Sequence, residues 1–124
     1  MLRLGRFIFA CDEIAEVLDK TVLNKEQKDL LGQIESKLST IARQGQAFGI
    51  HLILATQRPD ANILPGQIKN NIDCRVCGRA DNVLSQIILD CADAADRVPK
   101  DIPGRFLTSD GTLFQAYWFD DSKV

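Results

Sequence analysis

The run Arg6-Phe7-Ile8-Phe9-Ala10-Cys11-Asp12-Glu13 holds five uncharged, mostly bulky residues that end in two adjacent carboxylates. An unbroken apolar run with polar ends predicts a strand over 7–11, buried on both faces as in the middle of a parallel sheet. Ile50-His51-Leu52-Ile53-Leu54-Ala55 predicts a second strand of the same kind. Between the two, the apolar period changes from strand to helix. Ile14, Val17 and Leu18 give an apolar side to a short helix over 13–19. Leu30, Ile34, Leu38 and Ile41, at spacings of four, four and three, form one stripe of a long helix over 25–44. Asn24 is placed to cap that helix, and Gly45 and Gly49 bracket its end. Gly32 weakens its middle by up to ~1 kcal/mol relative to alanine. Lys28, Asp29, Gln33, Glu35, Lys37 and Arg43 suit its solvated face, and the apolar stripe suits packing against a sheet.

The second half is more broken. Residues 60–65 are turn-rich, 67–71 suit one helical turn, and 72–77 predict a third strand followed by Gly78-Arg79. Asp81 or Asn82 can cap a helix reaching Leu89, with Val83, Ile87 and Ile88 inward. A further short helix is expected over 92–97, after which Pro99, Pro103 and Gly104 interrupt the pattern. Residues 105–108 and 112–118 flank Ser109-Asp110-Gly111, and Asp-Gly between alternating segments is a strong hairpin signal. The acidic tail after Phe119 is expected to fray.

Composition narrows the class. The 124 residues suffice for one small domain, and 45% hydrophobic with 26% charged residues is ordinary for a soluble globular protein. A net charge of -2 gives no global basic field for nucleic acid, although a local basic patch remains open. No apolar run approaches the ~20 residues of a membrane-spanning helix, and no signal-peptide pattern is visible. Cys11, Cys74, Cys77 and Cys91 are expected as reduced thiols. Cys74 and Cys77 have zinc-knuckle spacing, but Cys11, Cys91 and the single His51 do not form a second ligand pair.

The candidate chemistry lies at the ends of the two predicted strands. In open α/β sheets ligands bind beyond the carboxyl ends of the strands. There, Asp12 can hold a Mg²⁺ ion and Glu13 can polarise a water molecule, which is the Walker B arrangement; a solvated acidic turn is the simpler alternative. Thr56-Gln57-Arg58-Pro59 follows the second strand, and the Gln57 amide can orient a water or contact a terminal phosphate, or bond to nearby backbone as a loop amide. His51, near the strand start, suits a structural role.

The segment Ile41-Ala42-Arg43-Gln44-Gly45-Gln46-Ala47-Phe48-Gly49-Ile50-His51-Leu52-Ile53-Leu54-Ala55-Thr56-Gln57-Arg58-Pro59, with Ile68-Lys69-Asn70-Asn71-Ile72-Asp73-Cys74-Arg75-Val76, closely resembles the FtsK/SpoIIIE family of DNA-pumping ATPases. Pro103-Gly104-Arg105-Phe106 and Phe114-Gln115-Ala116-Tyr117 look like the closing hairpin of its secretion and conjugation branches. The resemblance covers roughly 7–117. It implies an α/β, partial RecA-like P-loop ATPase fold: a mostly parallel sheet flanked by helices, with a C-terminal β-hairpin. It also implies ATP and Mg²⁺ as cofactors, with Asp12 on the metal, Glu13 as catalytic base and Gln57 as the sensor of the γ-phosphate; Arg58 would lie beside the nucleotide. An arginine finger is expected across a ring interface, with Arg43, Arg58, Arg75 and Arg79 as candidates. The implied partners are DNA and further copies in a ring, a hexamer by family pattern. The implied location is the cytoplasmic domain of a membrane-anchored protein.

Two departures matter. No G-x-x-x-x-G-K-[ST] loop occurs, so the backbone amides and lysine that hold phosphates are missing, and residues 1–124 resemble the C-terminal part of a motor domain. In chromosome-partitioning members an arginine follows the serine that matches Ser85; here Gln86 stands there, which favours a mobile-element or secretion-type relative. A substrate-recruiting ATPase of a type VII-like protein secretion system, and a non-hydrolysing interaction module, are the alternatives to a DNA translocase used in conjugation or cell division.

Overall fold

The computed structural model describes residues 5–57 and 64–123, in two compact units, Met1–Ile72 and Asp73–Val124. The expected turn-rich link over 60–65 falls largely outside the described residues, as do Arg58 and Pro59.

The first unit is built on a parallel strand pair. Strand β1, Phe7–Cys11, lies beside β2, Ile50–Leu54, with Phe7 opposite Ile50 and Cys11 opposite Leu54. The ladder continues past both strands, because Ala55 N–H donates to Cys11 O at 2.9 Å and Ile14 N–H donates to Ala55 O at 2.9 Å. Helix α1 is shorter than expected, Ile14–Val17, and helix α2 spans Lys25–Gln44 as expected. Asn24 caps α2 in a full capping box: its side chain accepts from Gln27 N–H, and the Gln27 side chain accepts from Asn24 N–H. At the other end a 3-10 turn, Gly45–Phe48, leads to Gly49 at φ 73°, a left-handed conformation that glycine adopts without a Cβ penalty, and the chain turns into β2. A short helix α3, Gly66–Lys69, closes the unit.

Ile14, Leu18, Leu31, Leu38 and Ile68 form the core, with Cys11, Leu52 and Leu54 packed against it. The alternation along a strand places these sheet residues on one face. The other face is bare: Ile8 is 60% exposed and Ile53 57%. Two strands expected to be buried on both faces are therefore covered on one, and even there burial fades toward Phe7. Their apolar runs encode a second covering layer that the described residues do not supply. The α2 stripe also differs in phase: Leu31, not Leu30, points inward with Ile34 and Leu38. In α1 Ile14, and at its C-cap Leu18, are buried while Val17 faces out.

The second unit is a three-stranded antiparallel sheet with two helices. Its strands are β3 (Val76–Cys77), β4 (Arg105–Thr108) and β5 (Leu113–Gln115), in the order β3-β4-β5. The hairpin falls where Asp110-Gly111 put it, with Gly111 at φ 88°. The third strand is shorter than 72–77 and pairs with the hairpin. Ahead of it Ser109 replaces the ladder: Ser109 N–H donates to Arg75 O at 2.8 Å, and its hydroxyl donates to Asp73 O at 3.1 Å. Helix α4, Asn82–Leu89, is capped by Asp81, whose side chain accepts from Leu84 N–H at 2.8 Å; α5 spans Asp93–Arg97. Val83, expected inward, is 68% exposed, whereas Ser85 and Leu89 are buried. Ser85 Oγ donates to Cys91 O and accepts from Ala94 N–H, tying α4 to α5. The tail beyond Phe119 is not a plain extended end: Asp121–Lys123 form a 3-10 turn, with the Asp120 carboxylate accepting from Ser122.

Candidate active site

The parallel register decides where the candidate residues meet. Since Cys11 lies opposite Leu54, the two residues after β1, Asp12 and Glu13, come out beside the residues after β2, Thr56 and Gln57. All four sit at the carboxyl edge of the strand pair, where α/β sheets place ligands.

Glu13 is the most tightly held of them. It precedes α1 and caps it, Oε1 accepting from Ala15 N–H at 3.3 Å. The same oxygen accepts the Thr56 hydroxyl, and Oε2 accepts Gln57 N–H at 2.9 Å. A half-buried carboxylate is thus held by its own helix α1 and by the segment after β2, whose donors lie 43 and 44 residues away in sequence. Asp12 differs. It is exposed, and among the described residues no hydrogen bond or ion pair engages its carboxylate. Its hard oxygen donors, turned to solvent at the edge of the sheet, suit a Mg²⁺ ion that keeps most of its waters. Gln57 is exposed; its backbone is committed to Glu13, and its side-chain amide makes no hydrogen bond among the described residues. The sequence-predicted trio of Asp12, Glu13 and Gln57 therefore shares one edge. Thr56 was not singled out from the sequence. Its one signal was position, next to Gln57 at the end of an apolar strand.

The arginines are dispersed. Arg43 is exposed on the last turn of α2 and lines a polar groove of about 440 Å³ with Glu35, Ser36, Ser39, Thr40 and Gln67. Asp12, Glu13 and Gln57 do not line it. Arg75 and Arg79 belong to the second unit. Arg75 Nη1 donates to Asp90 Oδ2 at 2.6 Å and to Ile88 O at 3.0 Å, which ties the start of β3 to the end of α4. Asp90 sits there at φ 60°, an unusual conformation for a residue with a Cβ. Arg79 Nη1 reaches Lys100 O at 3.3 Å.

His51 is half-buried within β2, away from the carboxyl edge. Cys77 is buried, and burial, followed by the nearby Cys91, pushes its thiol pKa up; Cys74 is exposed. Among the described residues no helix is long and apolar enough to cross a membrane.

No protein-family profile matches the chain. It is 46% identical over 89 residues to the DNA translocase FtsK of Haemophilus influenzae, a match that covers 71% of this chain and 15% of that protein. The solved structure of the pCW3 conjugation coupling protein TcpA, a monomer form with ATPγS, superposes with a TM-score of 0.87 at 44% identity, over 97% of this chain and 34% of that one. The cytoplasmic domain of the type VII secretion ATPase EccC from Thermomonospora curvata shares the fold, with a TM-score of 0.67 at 24% identity over 91% of this chain and 12% of that one. These matches agree with the α/β, partial RecA-like architecture that the resemblance implied, a parallel pair with flanking helices and a C-terminal hairpin.

Proposed function

Because the chain belongs to the FtsK/SpoIIIE family, we propose that residues 1–124 form the C-terminal part of a RecA-like motor domain in a longer protein that moves DNA by hydrolysing ATP, in conjugative transfer or chromosome partitioning. The observation that supports this most is the edge at which Glu13 is held between Thr56 and Gln57 with Asp12 open beside it. Phosphoryl transfer needs little covalent help from a protein; it needs charge neutralisation, an aligned water and a contact to the transferring group. Asp12 supplies a carboxylate for Mg²⁺, directly or through water. Glu13 stands ready to take a proton from the attacking water. The Gln57 amide, at the same edge, would contact the terminal phosphate. When bound, Mg²⁺ would neutralise charge on the phosphate oxygens. The phosphate-cradling loop would come from residues preceding this chain, and their packing would also cover the bare face of β1 and β2.

In this reading the protein works as a ring, a hexamer by family pattern, in the cytoplasm beneath a membrane anchor carried elsewhere in the longer protein. Arg43 and Arg79 remain suitable arginine fingers, Arg58 lies outside the described residues, and Arg75 is committed to Asp90.

The test is ATP turnover by the full-length protein with and without double-stranded DNA. Several-fold stimulation by DNA is expected. Turnover indifferent to DNA but raised by a secreted peptide substrate would point to the protein-secretion branch. No turnover under either condition would leave an interaction module that hydrolyses nothing.

A further inference from the structure

We propose that Thr56 is a positioning residue for the catalytic base, setting the direction of the Glu13 carboxylate through its hydroxyl; this rests on the catalytic reading of Glu13 above. Among the donors that reach that carboxylate, Ala15 N–H, Gln57 N–H and the Thr56 hydroxyl are not equivalent. Ala15 N–H, at 3.3 Å, is a long contact from the next turn of Glu13's own segment. Gln57 N–H, at 2.9 Å, is backbone and is fixed by the parallel register whatever the side chains are. The Thr56 hydroxyl is a side-chain donor from β2's end, and it shares Oε1 with Ala15. Without it, Oε1 loses its one side-chain tie to the end of β2 among the described residues, and the carboxylate is freer to pivot about Oε2.

Threonine suits the task. Its β-branch restricts χ1, so the hydroxyl is aimed by the backbone with little freedom to turn away. The residue is half-buried, which strengthens a charge-assisted bond relative to one in water. Thr56 and Gln57 are consecutive and hold one carboxylate oxygen each.

The experiment uses the full-length protein with Thr56→Val, Thr56→Ala and Thr56→Ser. Val keeps the branched shape and removes the hydroxyl, Ala removes both, and Ser restores the hydroxyl alone. The proposal expects kcat for ATP hydrolysis to fall about 10- to 100-fold in Val and Ala, the scale of a misaligned catalytic group. KM for ATP and the affinity for Mg²⁺–ATPγS, read by calorimetry without turnover, should stay within about twofold. Ser should recover most of the rate. In a Glu13→Gln background, Thr56→Val should cost nothing further, since the two act as one unit. Wild-type kcat in both Val and Ala would overturn the proposal, and so would equal losses of rate and ATPγS affinity that Ser does not restore. A wild-type protein that turns over no ATP would instead bring down the catalytic reading, and this inference with it. If Val fails to fold, the Ala and Ser pair carries the same comparison.

Discussion

Arg75 shows how a single side chain can be read two ways. Its charge and its place beside Val76 suit an arginine finger, yet its guanidinium is spent on Asp90 and Ile88 O, and its buried Nε has no hydrogen-bond partner among the described residues. A group held this way is a tie between β3 and the C-terminal end of α4. Arg75→Ala should therefore cost stability: about 1 kcal/mol, the usual worth of a charge-assisted bond discounted for the exposed Asp90. The urea midpoint of unfolding reads this directly. Turnover of the full-length protein should fall no more than the loss of folded protein explains. Loss of turnover with an unchanged midpoint would restore Arg75 to the interface. At this scale the acid pair and Gln57 were legible in the sequence because each follows an apolar strand. Thr56 was not, since a hydroxyl shows its role only when its acceptor, 43 residues away, is in place.

Elements with strong local punctuation were legible to the residue. Helix α2 begins and ends where Asn24 and Gly45 predict, because the capping box and the glycine turn are short-range and independent of tertiary packing. The phase of its apolar stripe was not. Leu30 and Leu31 both fit the 3.6 period, and the direction of the core chooses Leu31. Val83 in α4 fails for the same reason. The third strand was overestimated because its first residues pair with the Ser109 side chain and not with a strand. The hairpin turn carries a pH signature. The Thr108 hydroxyl, then Thr112 N–H, holds the Asp110 carboxyl below its ordinary pKa of 3.8. A depressed folded pKa adds stability that is complete above 3.8 and is lost as pH falls through the lower folded value. Asp110→Asn, which cannot titrate, should lack that part of the acid loss, so the melting temperatures of the two proteins should converge as pH drops below the window. Parallel acid limbs would show that the turn contact does not form.

For the whole molecule, the apolar runs at β1 and β2 called for more covering than the described residues provide. This is the physical sense in which the chain reads as part of something larger; it spans 15% of the FtsK relative and 34% of the TcpA chain it matches. Fold class was legible from the strand and helix periods together with the family resemblance. Burial was not, because a run of Phe, Ile and Leu states what a strand needs and not what supplies it. The central claim is that Glu13 is the base of an ATP-hydrolysing site whose phosphate cradle lies elsewhere. It is tested most directly by measuring Mg²⁺–ATPγS affinity and ATP turnover side by side in the full-length protein and its Glu13→Gln variant. The account predicts affinity within about twofold and turnover lower by about 100-fold or more. Turnover that persists in the variant, or affinity and turnover lost in equal measure, would contradict it.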